Sequence, residues 1–274
     1  PSGNALADTA ACIAGSNENL NQKKIRQSLE KSGPLEIDRF MKALSGAFVP
    51  AGEGNDPVRN PLAIPTGKNF FGFSPAKVPS QSAWELGKKA AEAIISKSLL
   101  EKNRYPQKVA VILWATETIR NEGLNESTIL YLLGLEPAWD NSGRVKGTKV
   151  IPGKKLSRPS IDVLINPSGL YRDLFPEKLI FLDQAVQKAS ALTDIENLVK
   201  KHSLEIKNRL IESGMNQKDA DTLSRFRIFT EKPGSYGNGV SEMTSASGIW
   251  ESDKEIVKVF ENCSGFAFGM GKWG

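Results

Sequence analysis

The sequence predicts an α/β protein with a doubly wound, mostly parallel sheet flanked by helices and with additional helices at both ends. Predicted helices alternate with predicted strands along the middle of the chain, which is typical of this class. Residues 108–114, KVAVILW, are continuously apolar and rich in β-branched side chains. Such a run is typical of a parallel strand covered on both faces. Because ligands bind at the carboxyl ends of such strands, we look for a site there.

The first part of the chain, residues 1–78, is predicted to be helical and then irregular. Residues 18–48 have helical periodicity, and Gly33-Pro34 predicts two short helices instead of one. The second carries an apolar stripe, which consists of Leu35, Ile37, Phe40, Met41 and Leu44. Residues 49–78 are rich in glycine and proline, and a stretch of this length without regular structure is usually functional or a linker.

Residues 79–192 form the predicted α/β unit. A helix is expected from Pro79-Ser80 to Lys102, followed by the strand at 108–114 and a helix at 126–133 that ends at Gly134. Strands are predicted at 145–151 and 161–165, and an amphipathic helix at 175–192. The remaining segment, 193–274, is predicted as helices at 195–213, 217–225 and 251–260, with a glycine-rich loop at 233–248.

Composition narrows the class of protein. The 274 residues carry a net charge of +5, and the basic residues are interleaved with acidic ones, so we expect no nucleic-acid partner. No apolar run approaches the length of a membrane span. The presence of only two cysteines, Cys12 and Cys263, and the lack of a recognisable signal peptide favour a cytoplasmic location. Together with the single histidine, His202, these cysteines are too few to predict a metal site within the chain. The chain does not begin with Met, and we interpret it as an internal fragment.

Two polar segments follow the central strands. ATETIRNEG follows Trp114 and contains Glu117 and Arg120, while NPSGLYRD follows Ile165 and contains Ser168 and Arg172. Arginine binds carboxylates through two hydrogen bonds, which favours an anionic ligand. A local ion pair is an equal alternative for the first segment. In the second, Asp173 is expected to stabilise the opening of the helix that follows.

Other candidate motifs give weaker signals. Gly67-Lys68 lacks the earlier glycine and the following Ser or Thr of a phosphate-binding loop, and Gly269, Gly271 and Gly274 precede no helix. Any use of ATP therefore requires another chain. Tyr236 lies among glycines, where a lid over a flat ligand and an ordinary surface turn are both open. His202 is expected to be a surface or hydrogen-bonded histidine.

Taken together, several stretches resemble the large subunit of the cobaltochelatase and magnesium-chelatase family, CobN and the H subunit. The resemblance extends over most of the chain from Glu36 onward. In order, the stretches are EIDRFMKALSGAFVPAGEGNDPVRNPLAIPTGKNFFGF, which includes Asn60, VAVILWATETIRNEG, RPSIDV, SGLYRDLFP, RIFTEKPGSYGNGV and GFAFG.

The resemblance implies a subunit that binds a tetrapyrrole, into which Co²⁺ or Mg²⁺ is inserted. It also implies AAA+ ATPase partner subunits that use ATP and Mg²⁺, with no cofactor in this chain. The resemblance implies that arginines bind the side arms of the ring and that aromatic residues contact its faces. It also implies that other residues of the same stretches contact the tetrapyrrole. The arginines are Arg120, Arg158 and Arg172, the aromatic residues are Trp114, Phe70, Phe71 and Tyr236, and the further contacts are Lys68, Glu117 and Ser168.

The PGSYGNG stretch is more similar to the cobalt branch of the family than to the magnesium branch. The chain departs from the family pattern at Ser160 and at Asn166-Pro167, where positive charge is lost. The HG-x-LE stretch of the family is absent. We therefore name no catalytic residue and expect the fragment alone to be inactive. The alternatives are a magnesium-chelatase H subunit, a tetrapyrrole carrier without chelatase activity, and a solute-binding domain that would need an export signal.

Overall fold

The computed structural model describes residues 8–11, 13, 22–54, 57, 61–246 and 248–273. Cys12, Asn60, Gly274 and the side chain of Phe71, which entered the sequence interpretation, lie outside the described residues. The chain divides into two compact units, Pro1–Ser74 and Pro75–Gly274. No helix in the described part of the chain is long and apolar enough to cross a membrane.

The first unit is built on a long helix and a small parallel sheet. Helix α1 spans Gln22–Leu44, and strands β1 (Ala51–Glu53) and β2 (Asn69–Phe71) pair in parallel. A 3₁₀ turn at Pro61–Ala63 lies between the two strands. A small core is formed by Ala10, Ile13, Ile25, Ile64 and the partly buried Leu29.

The predicted break at Gly33-Pro34 is wrong, because α1 continues through Pro34. Proline removes one helical donor and leaves the carbonyl of Glu30 without its usual partner. Both residues are exposed, so water can satisfy that carbonyl at little cost. Beyond Pro34, four of the five residues of the apolar stripe are also exposed, with Ile37 at 70% and Leu44 at 67%.

The second unit contains the main sheet. The strands of this unit are β3 (Lys108–Leu113), β4 (Leu135–Trp139), β5 (Val145–Val150), β6 (Asp162–Pro167), β7 (Ile228–Thr230), β8 (Phe266–Gly269) and β9 (Lys272–Trp273). The sheet order is β3-β6-β7-β8-β9, with the first three strands parallel and the last two antiparallel. Strands β4 and β5 form a separate antiparallel hairpin. The predicted α/β class with a mainly parallel sheet is confirmed.

Helices surround these strands. They are α2 (Gln81–Lys102), α3 (Ala115–Asn121), α4 (Leu124–Leu132), α5 (Gly153–Leu156), α6 (Gly169–Leu174), α7 (Pro176–Ser190), α8 (Leu198–Glu212), α9 (Gln217–Leu223), α10 (Val240–Ser245) and α11 (Asp253–Cys263). The segments after Trp114 and Pro167, expected as loops, are the short helices α3 and α6. The expected loop at 233–248 contains α10.

Strand β3 is not covered on both faces, contrary to the prediction. It is the edge strand of the sheet, and its burial alternates: Val111 and Leu113 are buried, whereas Ile112 is 51% exposed. Helix α4 packs against β3 and β6. A continuous apolar run thus lies at an edge where one face remains open.

Because β3 and β6 are parallel, helices α3 and α6 both begin at the same end of the sheet, where the strands have their carboxyl termini. Helix α3 begins directly after β3, α6 begins directly after β6, and Glu231 follows β7. We use the name carboxyl edge for the end of the sheet where its parallel strands have their carboxyl termini, and define it as residues 114–121, 168–174 and 231–239.

At the opposite end of β6, the buried carboxylate of Asp162 accepts hydrogen bonds from Arg227 Nε at 2.7 Å and from His202 Nδ1 at 2.9 Å. His202 is thus a hydrogen-bonded histidine, as expected.

Candidate functional site

The first segment of the carboxyl edge, residues 114–121, carries an exposed ion pair. Trp114 precedes α3 and is half exposed, while Glu117 and Arg120 lie in the first and last turns of that helix. Arg120 Nε lies 3.1 Å from both carboxylate oxygens of Glu117. The hydrogen bond from Arg120 lowers the pKa of Glu117, and the hydrogen bond to Glu117 raises the pKa of Arg120. This geometry matches the ion-pair alternative.

The second segment of the carboxyl edge, residues 168–174, contains Ser168 at the start of α6 and Arg172 within that helix. Ser168 caps the helix, because its Oγ accepts the N–H of Tyr171 at 3.2 Å. Arg172 is almost fully buried and donates from Nη1 to the carbonyls of Glu231 at 2.8 Å and Lys232 at 2.9 Å. The guanidinium therefore ties the segment after β7 to α6.

Arg172 is also paired with the neighbouring acid. Its Nε and Nη2 donate to the two carboxylate oxygens of Asp173 at 2.7 and 3.1 Å. The Tyr236 hydroxyl donates to the same carboxylate at 2.6 Å. These hydrogen bonds, that of Arg172 first, lower the pKa of Asp173. Helix α7 has no side-chain cap, and stabilisation of its opening by the charge of Asp173 stays a prediction.

A buried carboxyl group that sequence reasoning missed joins the two helices of the edge. Glu126 on α4 is fully buried and accepts hydrogen bonds from Thr118 of α3 at 2.8 Å and Tyr171 of α6 at 2.9 Å. Burial raises its pKa. Nearby Lys178 donates to the carbonyl of Val78 at 2.7 Å, and burial lowers its pKa to about 8. An acid within the apolar stretch 124–134 was the available signal.

Arg158 lies away from this edge, before the start of β6. Its guanidinium stacks over the ring of Tyr131 at 4.8 Å and donates to the carbonyls of Tyr131 and Leu132, the latter at 3.1 Å. These carbonyls belong to the last turn of α4. Burial lowers the pKa of Arg158. The structure thus does not bring Arg158 together with Ser168 and Arg172.

The remaining two predicted residues, Lys68 and Phe70, lie in the first unit beside cavities. A cavity of about 620 Å³ lies between the second half of α1 and the turn before β2, and another of about 380 Å³ also includes Lys68. We call the larger one the Lys68 cleft. Its lining residues are Glu36, Arg39, Phe40, Ala43, Gly46, Ala47, Phe48, Val49, Gly67, Lys68 and Asn69.

The turn that carries Lys68 is fixed against α1. Arg39 Nη1 donates to the carbonyl of Gly67 at 3.0 Å, and the Thr66 hydroxyl donates to Glu36 at 2.5 Å. Gly67 has a φ of +76°, and a Cβ there would lie 2.8 Å from the backbone of Leu35 and Glu36. Only glycine permits this approach without displacing the turn.

Exposed aromatic rings line the cleft and its neighbour. Phe40 is 63% exposed, Phe48 is 82% exposed, and Phe70, in the smaller cavity, is 73% exposed. Sequence reasoning assigned Phe40 to an apolar stripe and passed over Phe48 and Arg39. Their position within the quoted stretch 36–73 was the signal.

The described residues contain no group of three or more His, Cys, Asp or Glu side chains arranged to hold a metal ion. The side chains described above offer groups for binding, namely aromatic faces and cationic donors on fixed turns.

Comparisons with known proteins identify related sequences. A family model described as CobN/Magnesium Chelatase matches residues 4–274. An uncharacterised protein of Methanocaldococcus jannaschii is 40% identical over 87% of this chain and 20% of its own length. Aerobic cobaltochelatase subunit CobN of Sinorhizobium sp is 32% identical over 92% of this chain and 20% of its length. Magnesium-chelatase subunit ChlH of Oryza sativa is 32% identical over 85% of this chain and 16% of its length.

A solved structure shows the same fold. The catalytic subunit of cobaltochelatase from Mycobacterium tuberculosis matches with a TM-score of 0.70 and 30% identity, over 99% of this chain and 24% of that one. The chain thus spans about a fifth of the length of the curated relatives it matches. On the match of the family model to residues 4–274, the chain belongs to the CobN/magnesium-chelatase family.

Proposed function

We propose that the chain is part of the tetrapyrrole-binding large subunit of an ATP-dependent metal chelatase of the cobaltochelatase type. The observation that carries the proposal is the structural match to a cobaltochelatase catalytic subunit over 99% of the chain. It covers both compact units, so both belong to the shared fold. Two CobN relatives, 32% and 33% identical, support the same assignment.

The exposed side chains suit a flat ring with polar arms. A tetrapyrrole offers two apolar faces to aromatic side chains and carboxylate or amide arms to cationic donors. In the first unit, Phe70 and Lys68 offer such groups. Binding sites of this kind are mostly apolar with a few placed polar groups.

The remaining components of the reaction are assigned to other parts of the assembly. ATP and Mg²⁺ would act on AAA+ partner subunits, since Gly67-Lys68 lacks the frame of a phosphate-binding loop. Co²⁺ is a substrate, and its insertion releases the N–H protons that the ring nitrogens carry. The groups that receive those protons are assigned to the rest of the subunit, so the isolated chain is expected to be inactive. A cytoplasmic location is part of the proposal.

The second candidate function is that of a magnesium-chelatase H subunit. It is favoured by relatives of that name from rice, Chlorobaculum parvum and Rhodobacter capsulatus, at 31% to 32% identity. These values are close to those of the cobaltochelatase relatives, so the choice depends on the macrocycle that is bound. A carrier of tetrapyrroles would bind the same ring without insertion.

The test is a titration of the full-length subunit with hydrogenobyrinic acid a,c-diamide and with protoporphyrin IX, followed by absorbance and tryptophan quenching. Tighter binding of the corrinoid is the expected result. Tighter binding of the porphyrin would support the magnesium branch instead. Binding without insertion, when Co²⁺, ATP and the partner subunits are present, would indicate a carrier. Binding of neither ring would overturn the proposed function.

A further inference from the structure

We propose that the Lys68 cleft is the surface that receives the tetrapyrrole, with Phe40 and Phe48 against the ring and Lys68 and Arg39 toward its carboxylate arms. This inference rests on the proposed function and adds to it the residues that make the contacts. It follows from three properties of the cleft, namely its exposed rings, its uncompensated cations and its size.

The apolar part of the cleft is exposed to solvent. Phe40 and Phe48 line one cavity, and more than half of each side chain is exposed. Large aromatic side chains bury more apolar area than most others, and clustered exposed apolar surface marks binding sites. A flat ring that covers both phenylalanines would remove this area from water. Two rings in one cavity therefore favour a flat apolar ligand.

The charge of the cleft is positive. Lys68 Nζ donates to the carbonyl of Leu62 at 3.1 Å, and Arg39 donates to the carbonyl of Gly67. In the part of the chain that the structure describes, neither cation forms an ion pair. Glu36 is the acid in the lining, and it accepts the hydroxyl of Thr66. Two cations against one acid favour an anionic ligand, because a carbonyl partner orients a cation without neutralising it.

The size of the cleft fits a ligand larger than a simple anion. Its volume of about 620 Å³ is in the range of small-molecule sites, which is roughly 300–1,000 Å³. A free phosphate or a single carboxylate would use the cations and leave both phenylalanines in water. A flat ring with carboxylate arms uses both kinds of group, and hydrogenobyrinic acid a,c-diamide and protoporphyrin IX have this chemistry.

The test uses the full-length subunit and matched pairs of variants. Phe40→Ala with Phe48→Ala removes the two rings. Its control is Ile37→Ala with Leu44→Ala, two similarly exposed apolar residues of α1 that do not line the cavity. Lys68→Ala is compared with Lys31→Ala, an exposed lysine of α1 outside the cleft. Each variant is titrated with whichever macrocycle the unmodified subunit binds, and its Tm is measured without ligand.

We expect the phenylalanine pair to weaken binding about tenfold or more. Lys68→Ala should weaken it by a smaller factor, and both controls should stay within about twofold of the unmodified subunit. Unchanged affinity in the phenylalanine and lysine variants, with binding by the unmodified subunit, would overturn the inference and leave the proposed function intact. A large fall in Tm in the phenylalanine variant, together with an unchanged affinity in Lys68→Ala, would show that protein covers the cleft, and would overturn it too. No binding by the unmodified subunit would overturn both proposals.

Discussion

The Lys68 cleft and the carboxyl edge of the sheet contain the same residue types but use them differently. At the edge, Arg120 and Arg172 are each paired with a neighbouring carboxylate, and Arg172 is buried. In the cleft, Arg39 and Lys68 donate to backbone carbonyls, beside exposed phenylalanines. An arginine in a sequence motif is therefore informative only once its hydrogen-bond partner is known. The carboxylate partners of Arg120 and Arg172 compensate their charges, whereas the carbonyl partners of Arg39 and Lys68 leave the charges of these two side chains for a ligand.

The largest effect is expected from Arg172→Ala. The change leaves three backbone carbonyls of the 231–235 segment and the Asp173 carboxylate without the guanidinium. Because loss of a buried charged donor costs roughly 3 kcal/mol, we expect the free energy of unfolding to fall by about this amount. Denaturant titration would measure the change. Arg120→Ala is the matched control, and its exposed pair predicts no measurable change. Equal stability of the two variants would remove the structural distinction between these arginines.

Glu126→Gln sharpens the same comparison through pH. The folded-state pKa of Glu126 is raised above its ordinary 4.5 by burial, so the folded protein holds this proton more tightly than the unfolded chain. The stability from this group is complete below pH 4.5 and is lost as the pH rises through the raised pKa. The glutamine variant cannot titrate, so its unfolding free energy should fall less over this range than that of the unmodified protein. Parallel pH profiles would show that Glu126 ionises normally.

Gly67→Ala should distort the turn of the cleft. Its positive φ disfavours a Cβ by roughly 1–2 kcal/mol, and the Cβ would also meet the backbone of α1. Gly72→Ala is the control, because nothing lies within 4 Å of a Cβ there. Thermal unfolding should show a lower Tm for the first variant than for the second. A tolerated Gly67→Ala would mean that the turn can shift away from α1.

The smallest effect is expected in the salt dependence of macrocycle binding. Exposed cations are screened by salt, with a Debye length of about 10 Å at 0.1 M. Affinity for a ring with carboxylate arms should therefore fall as salt rises, and Lys68→Ala should reduce this slope. Arg120→Ala should leave it unchanged, because its charge is already compensated by Glu117. The reverse pattern would assign the arms of the ring to the carboxyl edge.

The sequence was sufficient for the α/β class because β3, β5 and β6 have clear apolar or alternating patterns. It did not show that β3 is an edge strand, since apolar residues such as Ile112 are compatible with either position. Strands β8 and β9 contain four and two residues, too few to show a period. The Glu117–Arg120 pair is local and could be anticipated as an alternative. The carbonyl partners of Arg172 lie about sixty residues away, and the exposure of Phe40 and Phe48 depends on tertiary structure.

The most direct test of ring binding in the Lys68 cleft compares the cleft with the carboxyl edge in one titration. The full-length subunit, a Phe40→Ala and Phe48→Ala variant, and a Trp114→Ala and Arg120→Ala variant are titrated with hydrogenobyrinic acid a,c-diamide. We expect a loss of affinity of about tenfold or more for the cleft variant and of less than about twofold for the edge variant. A loss confined to the edge variant would contradict ring binding in the cleft and return the site to the carboxyl end of the sheet.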